Sequence, residues 1–139
     1  MLKPPLVIEL RSDLAGGKTT FVKGLAKGLG STDRVTSPTF TLNRIYKSKN
    51  LEIHHFDFYR LHDPGVVSDQ LEESLQNSRV ITVVEWSGIV SGLLPGDRLI
   101  LEFKPVKSDA DERQINLHYS PKLEPVIKAL ETRWEVVKP

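Results

Sequence analysis

Residues 6–21 read LVIELRSDLAGGKTTF, an apolar run that passes through a glycine-containing loop into a helical pattern. The run over 6–10 is typical of a short buried β-strand. The segment 12–20 is predicted to be a loop because of its glycines. A helix is predicted to follow, because apolar residues recur at helical spacing and Gly30 offers a C-terminal cap. The apolar positions of that helix are Phe21, Val22, Leu25, Ala26 and Leu29.

The loop between this strand and this helix matches most of a phosphate-binding pattern. Residues 12–19 read S-x-x-x-x-G-K-T, and the pattern is G-x-x-x-x-G-K-[ST]. Backbone N–H groups from Ala15 to Thr19 can surround an anionic phosphate, to which the helix N-terminus adds the positive end of its dipole. Lys18 is then predicted to reach the β- and γ-phosphates of a nucleotide, and the Thr19 hydroxyl to bind Mg²⁺.

Ser12 departs from the pattern, because glycine is usual at this position. A serine there is expected to cost roughly 1–2 kcal/mol if its φ is positive, or to distort the mouth of the loop. Two alternatives to a working phosphate loop stay open. The segment is a glycine-rich turn with a chance lysine, or it binds a nucleotide without hydrolysing it.

Two carboxylates are candidates for the acidic partner that a phosphate-loop enzyme needs near its metal. Glu85 follows the β-branched run over 80–84, and Asp57 follows a more polar strand. Periodicity favours Glu85 as the carboxylate at the strand end, against a solvated residue there. For Asp57 an ion pair at a hairpin edge, with Arg60 as its partner, is the more ordinary interpretation.

Three further features allow both a functional and an ordinary interpretation. The segment 36–40 includes Thr39, which is either a sensor of the γ-phosphate and its Mg²⁺ or part of a common S-P-T turn. His54 and His55 are predicted to point to opposite faces of a strand, so we expect no shared zinc site. Trp86 is a core or capping residue, or an aromatic lid over a nucleotide.

The rest of the chain predicts an α/β fold with a mixed parallel and antiparallel sheet. The run over 80–84 suits a strand covered on both faces, as in a parallel sheet. The connection from Lys104 to Asp111 is charged and expected to be a mobile loop. The remaining predicted elements are a hairpin over 40–47 and 51–59, a helix over 66–75, a second hairpin around 99–103 and 115–119, and a helix over 123–134.

Composition excludes several classes of protein. The chain has 139 residues, which predicts a single domain over 1–139. It contains no cysteine, which excludes disulfides, thiolate metal sites and a cysteine nucleophile. A net charge of +1 argues against a protein that grips many nucleic-acid phosphates alone. With no apolar run long enough for a signal peptide or a membrane span, we expect a cytoplasmic protein with no membrane association.

Four motifs in order resemble those of the bacterial TsaE family. Residues 10–21, LRSDLAGGKTTF, are similar to that family's G-D-L-G-A-G-K-T-T-F loop. TSPTF at 36–40, HFDFYR at 55–60 and VEW at 84–86 follow at similar spacings. The loop is rearranged as well as substituted, because Ser12 and Ala15 stand where the family has glycine and Gly16 stands where it has alanine. Family members also carry more residues before the first strand, so we expect an edge element and part of the base pocket to be absent, or the start to lie upstream.

The resemblance implies a P-loop NTPase-like three-layer α/β fold that binds ATP and Mg²⁺. It implies weak ATP hydrolysis in the pathway that adds threonylcarbamoyl to the adenosine beside the anticodon of tRNA. TsaD- and TsaB-like proteins would be the partners, and tRNA would be met only through that complex. A non-hydrolysing nucleotide-gated module with a decayed loop is the main alternative, and a small-molecule kinase is a third.

The resemblance also assigns roles to residues of this chain. Asp57 and Glu85 become the catalytic residues, with Glu85 positioning or polarising the attacking water. The expected Mg²⁺ ligands are Thr19, Thr39, Asp57 and Glu85. The expected nucleotide-binding residues are Ser12, Asp13, Leu14, Ala15, Gly16, Gly17, Lys18, Thr19, Thr20 and Trp86.

Overall fold

The computed structural model of the chain describes residues 6–12, 17–35, 43–59, 65, 68–106 and 109–129. Within these ranges six strands form one sheet. The strands are β1 Leu6–Arg11, β2 Asn43–Lys47, β3 Glu52–Asp57, β4 Val80–Glu85, β5 Leu99–Val106 and β6 Asp109–His118. The helices are α1 Lys18–Gly28, α2 Ser68–Gln76 and two 3₁₀ segments, Ser87–Leu93 and Pro121–Leu123, the second of which continues as a helix over 124–129.

The sheet is mixed, as the sequence predicts. Its strand order is β2-β3-β4-β1-β5-β6. The four inner strands β3, β4, β1 and β5 are parallel to one another, and β2 and β6 pair antiparallel with β3 and β5 at the two edges. All six residues of β4 are buried. A continuous β-branched run is therefore explained by a strand covered on both faces.

Helices cover both faces of the sheet and give three layers. On one face Ile8 and Leu10 of β1 pack with Val22 of α1. On the other face Val7 packs in a separate cluster with Leu71 of α2. Successive residues of a strand point to opposite faces, so the alternation within β1 supplies both cores. The predicted P-loop-like α/β fold class is confirmed.

The charged connection predicted from Lys104 to Asp111 is largely strand. β5 continues to Val106 and β6 begins at Asp109, with Lys104 paired to Gln114. The prediction of a mobile loop there was wrong, because an antiparallel pair with one face toward water accepts charged residues as long as its backbone groups pair.

Element boundaries also shift from those predicted. α1 begins at Lys18, before the first apolar position of its stripe. The second strand of the first hairpin ends at Asp57 rather than at 59. The predicted helix over 66–75 is observed as Ser68–Gln76, and its first two predicted positions lie outside the described residues, as does the end of the helix predicted over 123–134.

Candidate nucleotide-binding site

The carboxyl ends of three parallel strands meet at one edge of the sheet. β3 and β4 pair in register so that Asp57 lies beside Glu85, and Leu10 of β1 lies on the other side of Glu85. The chain leaves β1 at this same edge and returns as α1. Crevices at the carboxyl ends of parallel strands are where α/β sheets bind ligands, so the geometry points to this edge.

Gly17 starts α1 in a conformation that favours glycine. Its φ is 92° and its ψ is 11°, and its carbonyl accepts the N–H of Phe21 at 3.1 Å. A Cβ at this position would meet no atom within 4 Å, so the requirement is one of backbone conformation rather than space. Lys18 follows as the first helical residue and is therefore held at the sheet edge.

Lys18 is buried and contacts an acidic side chain and an aromatic ring. Its side chain is only 5% exposed, and its Nζ lies 3.5 Å from Oε1 of Glu85. The same ammonium lies 4.6 Å from the ring centroid of Trp86. A cation held this far from water interacts strongly with any anion that reaches it.

Ser12 does not have the positive φ that would strain its backbone. Within the described ranges Trp86 is the only non-glycine residue with a positive φ. The expected cost of 1–2 kcal/mol for a left-handed serine therefore does not arise. Asp13, Leu14, Ala15 and Gly16 lie outside the described residues, so their part in phosphate binding stays a prediction.

Both candidate carboxylates are buried, which excludes a solvated position for Glu85. Glu85 is not a solvated residue at a strand end, since it is only 4% exposed. Asp57 ends an inner strand rather than an edge strand, and its Oδ1 accepts the N–H of Tyr59 at 3.0 Å. Arg60, the partner suggested for Asp57, lies outside the described residues.

The pKa of Asp57 is raised above its ordinary value. Burial is the largest cause, and the negative charge of Glu85 raises the pKa of Asp57 further. The Tyr59 N–H and the charges of Lys18 and His55 act in the opposite direction but do not outweigh burial. The ionised form of Asp57 is therefore disfavoured mainly because the carboxyl is removed from water.

Trp86 is an exposed aromatic residue rather than a core residue. It precedes the 3₁₀ segment Ser87–Leu93 with φ 56°, a left-handed conformation that costs a non-glycine residue about 1–3 kcal/mol. The ring is 36% exposed, and its centroid lies 4.8 Å from that of Tyr59. The strained backbone directs an aromatic side chain to the rim of the site beside Lys18.

A cleft of about 380 Å³ opens beside Lys18 and Trp86. Its floor includes Glu9 of β1, which is fully buried and is bonded by Arg98 Nε at 2.9 Å and by Arg11 Nε. This volume is at the lower end of the range for small-molecule sites. Ser12 and Lys18, from the two ends of the phosphate-loop motif, both line this cleft.

Comparison with known proteins gives a consistent result. A family model described as "Threonylcarbamoyl adenosine biosynthesis protein TsaE" matches residues 1–115. The chain belongs to the TsaE family. It is 39% identical over 113 residues to the tRNA threonylcarbamoyladenosine biosynthesis protein TsaE of Bacillus subtilis, covering 81% of this chain and 69% of that protein. It is 36% identical over 118 residues to the TsaE protein of Rickettsia bellii, covering 84% and 79%.

A solved structure shares the fold. The crystal structure of YdiB from Bacillus subtilis superposes with a TM-score of 0.76 and 32% sequence identity. The match covers 96% of this chain and 81% of that one. Family membership confirms the resemblance seen in the four motifs, and it places the chain in tRNA threonylcarbamoyladenosine biosynthesis.

Of the residues expected for this TsaE chain, the structure brings together Lys18, Asp57, Glu85 and Trp86, and Ser12 lines the cleft beside Lys18 and Trp86. Thr19 is half-buried and Thr20 exposed, both in the first turn of α1. Thr39 lies outside the described residues, so its role as a metal ligand stays a prediction.

The donor set of the TsaE site fits Mg²⁺. The described residues contain no group of three or more acidic or histidine side chains that would cage a metal by itself. Mg²⁺ is usually bound by one or two carboxylates together with substrate phosphates, so Asp57 and Glu85 suffice.

Sequence reasoning missed two members of this region. Glu9 reads as an interruption of an apolar run, yet a charge in a strand buried on both faces must be paired. His55 was considered only as a zinc ligand, and it is fully buried against Glu85. For Glu9 the signal was a charged residue inside an apolar run. His55 gave no such signal, because its strand is more polar and carries two adjacent histidines.

Within the described ranges, none of the helices combines the length and the apolar character needed to cross a membrane.

Proposed function

We propose that this TsaE chain binds ATP with Mg²⁺ and hydrolyses it weakly. It would serve the machinery that modifies the adenosine next to the tRNA anticodon, together with TsaD- and TsaB-like proteins. The observation that carries the proposal is the buried Lys18, held beside Glu85 at the end of the phosphate-loop motif. Family membership supports the pathway, and the site supports the chemistry.

Lys18 would bind the β- and γ-phosphates. Its ammonium is almost out of water, so a phosphate oxygen gains more from it than from an exposed lysine. Glu85 holds that ammonium in the absence of nucleotide, and the phosphates would take over the contact. Gly17 sets the start of α1, so the N–H groups of the first helical turn face the same anion.

Asp57 and Glu85 would have different roles in hydrolysis. Asp57, with Thr19 and Thr39, would hold Mg²⁺, and Glu85 would also lie within reach of it. Mg²⁺ supplies neutralisation of the charge that develops on the phosphate oxygens. Glu85 would accept a hydrogen bond from the attacking water and orient it, and Trp86 would cover the nucleotide at the rim.

Turnover is expected to depend on partners. Tyr59 and Trp86 form an aromatic pair at the rim of the site, and they are 42% and 36% exposed. A protein docked there would exclude water from Lys18 and Glu85, which strengthens their interactions with the nucleotide. A chain that binds ATP but turns it over slowly alone is the expected result.

The test compares Lys18→Ala with Lys23→Ala, an exposed lysine on the same helix. ATP binding with Mg²⁺ and phosphate release are measured alone and with a TsaB–TsaD pair. Loss of a charge-assisted contact worth about 1.5–3 kcal/mol predicts a roughly 10- to 150-fold weaker affinity for Lys18→Ala. Lys23→Ala should match the wild type.

Unchanged affinity of Lys18→Ala would reject nucleotide binding at this loop. Binding without turnover, even with both partners present, would select the non-hydrolysing module. Transfer of phosphate to a small metabolite instead of water would select the kinase alternative.

A further inference from the structure

His55 lies in the middle of the site although no motif role is assigned to it. It occupies β3 two residues before Asp57 and pairs in register with Val83 of β4. The ring is fully buried, and its Nε2 is hydrogen-bonded to Oε2 of Glu85. Lys18 contacts the other oxygen, Oε1, at 3.5 Å. Each oxygen of Glu85 therefore has its own partner.

The direction of the hydrogen bond follows from the chemistry of the two groups. An ionised carboxylate only accepts hydrogen bonds, so the hydrogen lies on Nε2 of His55. Nδ1 of the same ring is buried and has no hydrogen-bond partner among the described residues. The ring is thus anchored, within that part of the chain, through Glu85 alone.

A histidine is a costly choice for this position if it serves packing only. A leucine would fill a similar volume without burying an unpaired ring nitrogen, and buried polar groups without partners reduce stability. The neighbouring inward residue of the same strand, Ile53, is apolar and fully buried in the core beneath. The inward position that is polar instead of apolar, His55, is the one whose side chain contacts Glu85.

We propose that His55 is the positioning residue of Glu85. The inference rests on the proposed function, in which the phosphates of ATP draw Lys18 away from Oε1. His55 then remains as the partner that holds Oε2 and fixes the plane of the carboxylate. Oε1 is left facing the site, free to accept a hydrogen bond from the attacking water. Without His55, the arrival of ATP would also remove Lys18, the one partner still holding Glu85 among the described residues.

The test uses two variants of His55 and one matched control. His55→Leu removes the donor at similar volume, and His55→Gln keeps an N–H donor. The control is His54→Leu, the adjacent histidine, which lines a cleft on the opposite face of the sheet. ATP affinity, kcat, KM and the thermal midpoint are measured for each, with partners present.

We expect His55→Leu to lower kcat about 10- to 100-fold, the range typical of partners that orient a functional side chain. ATP affinity should stay within about twofold, since Lys18 is untouched. His55→Gln should recover most of the lost kcat, and His54→Leu should match the wild type. In the Glu85→Gln background, His55→Leu should add little, because the two residues act as one unit.

A wild-type kcat for His55→Leu would overturn the proposal. So would a loss of kcat that multiplies with that of Glu85→Gln, or that His55→Gln does not recover, since both indicate packing alone. Turnover lacking in the wild type would reject the proposed hydrolysis, and the contact is then tested by long-range ¹H–¹⁵N spectra of the imidazole. Spectra of His55 that do not respond to Glu85→Gln would overturn the positioning role, and a changed Nε2 signal would support it.

Discussion

Replacing Arg98 by methionine should destabilise the fold, because it leaves a buried carboxylate with one weak partner. Glu9 is fully buried in β1, and Arg98 Nε bonds it at 2.9 Å across the β1–β5 boundary. Arg11 also bonds Glu9, but its side chain is 50% exposed, against 18% for Arg98. Methionine keeps most of the apolar stem of Arg98 and removes only the guanidinium.

The magnitude follows from the contacts that are lost. A hydrogen bond between charged groups contributes about 1.5–3 kcal/mol, and the bond from Arg98 Nη1 to the Pro95 carbonyl at 3.0 Å contributes about 0.5–1.5 kcal/mol. Breaking a buried ion pair outright costs about 3–5 kcal/mol, and here Arg11 remains. We expect Arg98→Met to lower the free energy of unfolding by about 2–4 kcal/mol. Arg11→Met, the matched control, should lower it by about 1 kcal/mol or less.

Acid should shrink the difference between the wild type and Arg98→Met. Burial raises the pKa of Glu9, but hydrogen bonds from Arg11 and Arg98 outweigh it and leave the pKa below its ordinary value. A carboxyl whose pKa is lowered by folding stabilises the fold above its unfolded pKa, and this contribution is lost as the pH falls through the folded pKa. Protonated Glu9 is neutral, so the loss of the Arg98 guanidinium then leaves no uncompensated buried charge.

Urea unfolding at a series of pH values measures both effects. Equal destabilisation by Arg98→Met and Arg11→Met would show that burial of Arg98 is irrelevant. A difference that persists unchanged in acid would show that the charge of Glu9 is not what Arg98 compensates.

Two further outcomes test the site and its support. The pKa of Asp57 is raised by burial and by Glu85. Ionisation of Asp57 therefore lowers the stability of the fold as the pH rises through the folded pKa. We expect Asp57→Asn to raise the thermal midpoint at neutral pH and to reduce Mg²⁺-dependent turnover. Asp97→Asn at an exposed position should change neither, and a lower midpoint for Asp57→Asn would contradict the reasoning. Ser74 and Thr82 hydroxyls bond at 2.6 Å in a buried contact between α2 and β4, so Ser74→Ala should cost about 1–3 kcal/mol in urea unfolding. Adding Thr82→Val should restore part of that stability, because it removes the hydroxyl that Ser74→Ala leaves without its partner. A double variant that loses more unfolding free energy than the two single variants added together would refute this prediction.

The part of the site that lies close together in sequence could be predicted from sequence. Gly17 and Lys18 form one short motif, and the apolar runs on either side place that motif between a strand and a helix. The place of Glu85 at a strand end follows from the apolar run before it, whereas Asp57 enters the site only through the resemblance of the four motifs. Local signals of this kind need no knowledge of how distant strands align.

The contact between His55 and Glu85 depends on such an alignment. β3 and β4 pair with Asp57 opposite Glu85, and this register turns His55 toward α1 and His54 away from it. A shift of one residue would exchange the two histidines, because side chains alternate between the faces of a strand. The HH dipeptide gives no sign of which histidine faces the site.

The ion pairs Glu9–Arg98 and Lys18–Glu85 are expected to respond differently when a nucleotide binds. Glu9 of β1, on the α2 face, pairs with Arg98 just before β5, and neither group takes part in the phosphate binding proposed for Lys18. Lys18 and Glu85 join α1 to β4 on the other face, and their contact must open when Lys18 turns to a phosphate. Because separate pairs fix β1 and hold the lysine, nucleotide binding can release Glu85 without loosening the strand that carries the loop. His55, which does not contact the phosphate path, is then what keeps that release from disordering the carboxylate.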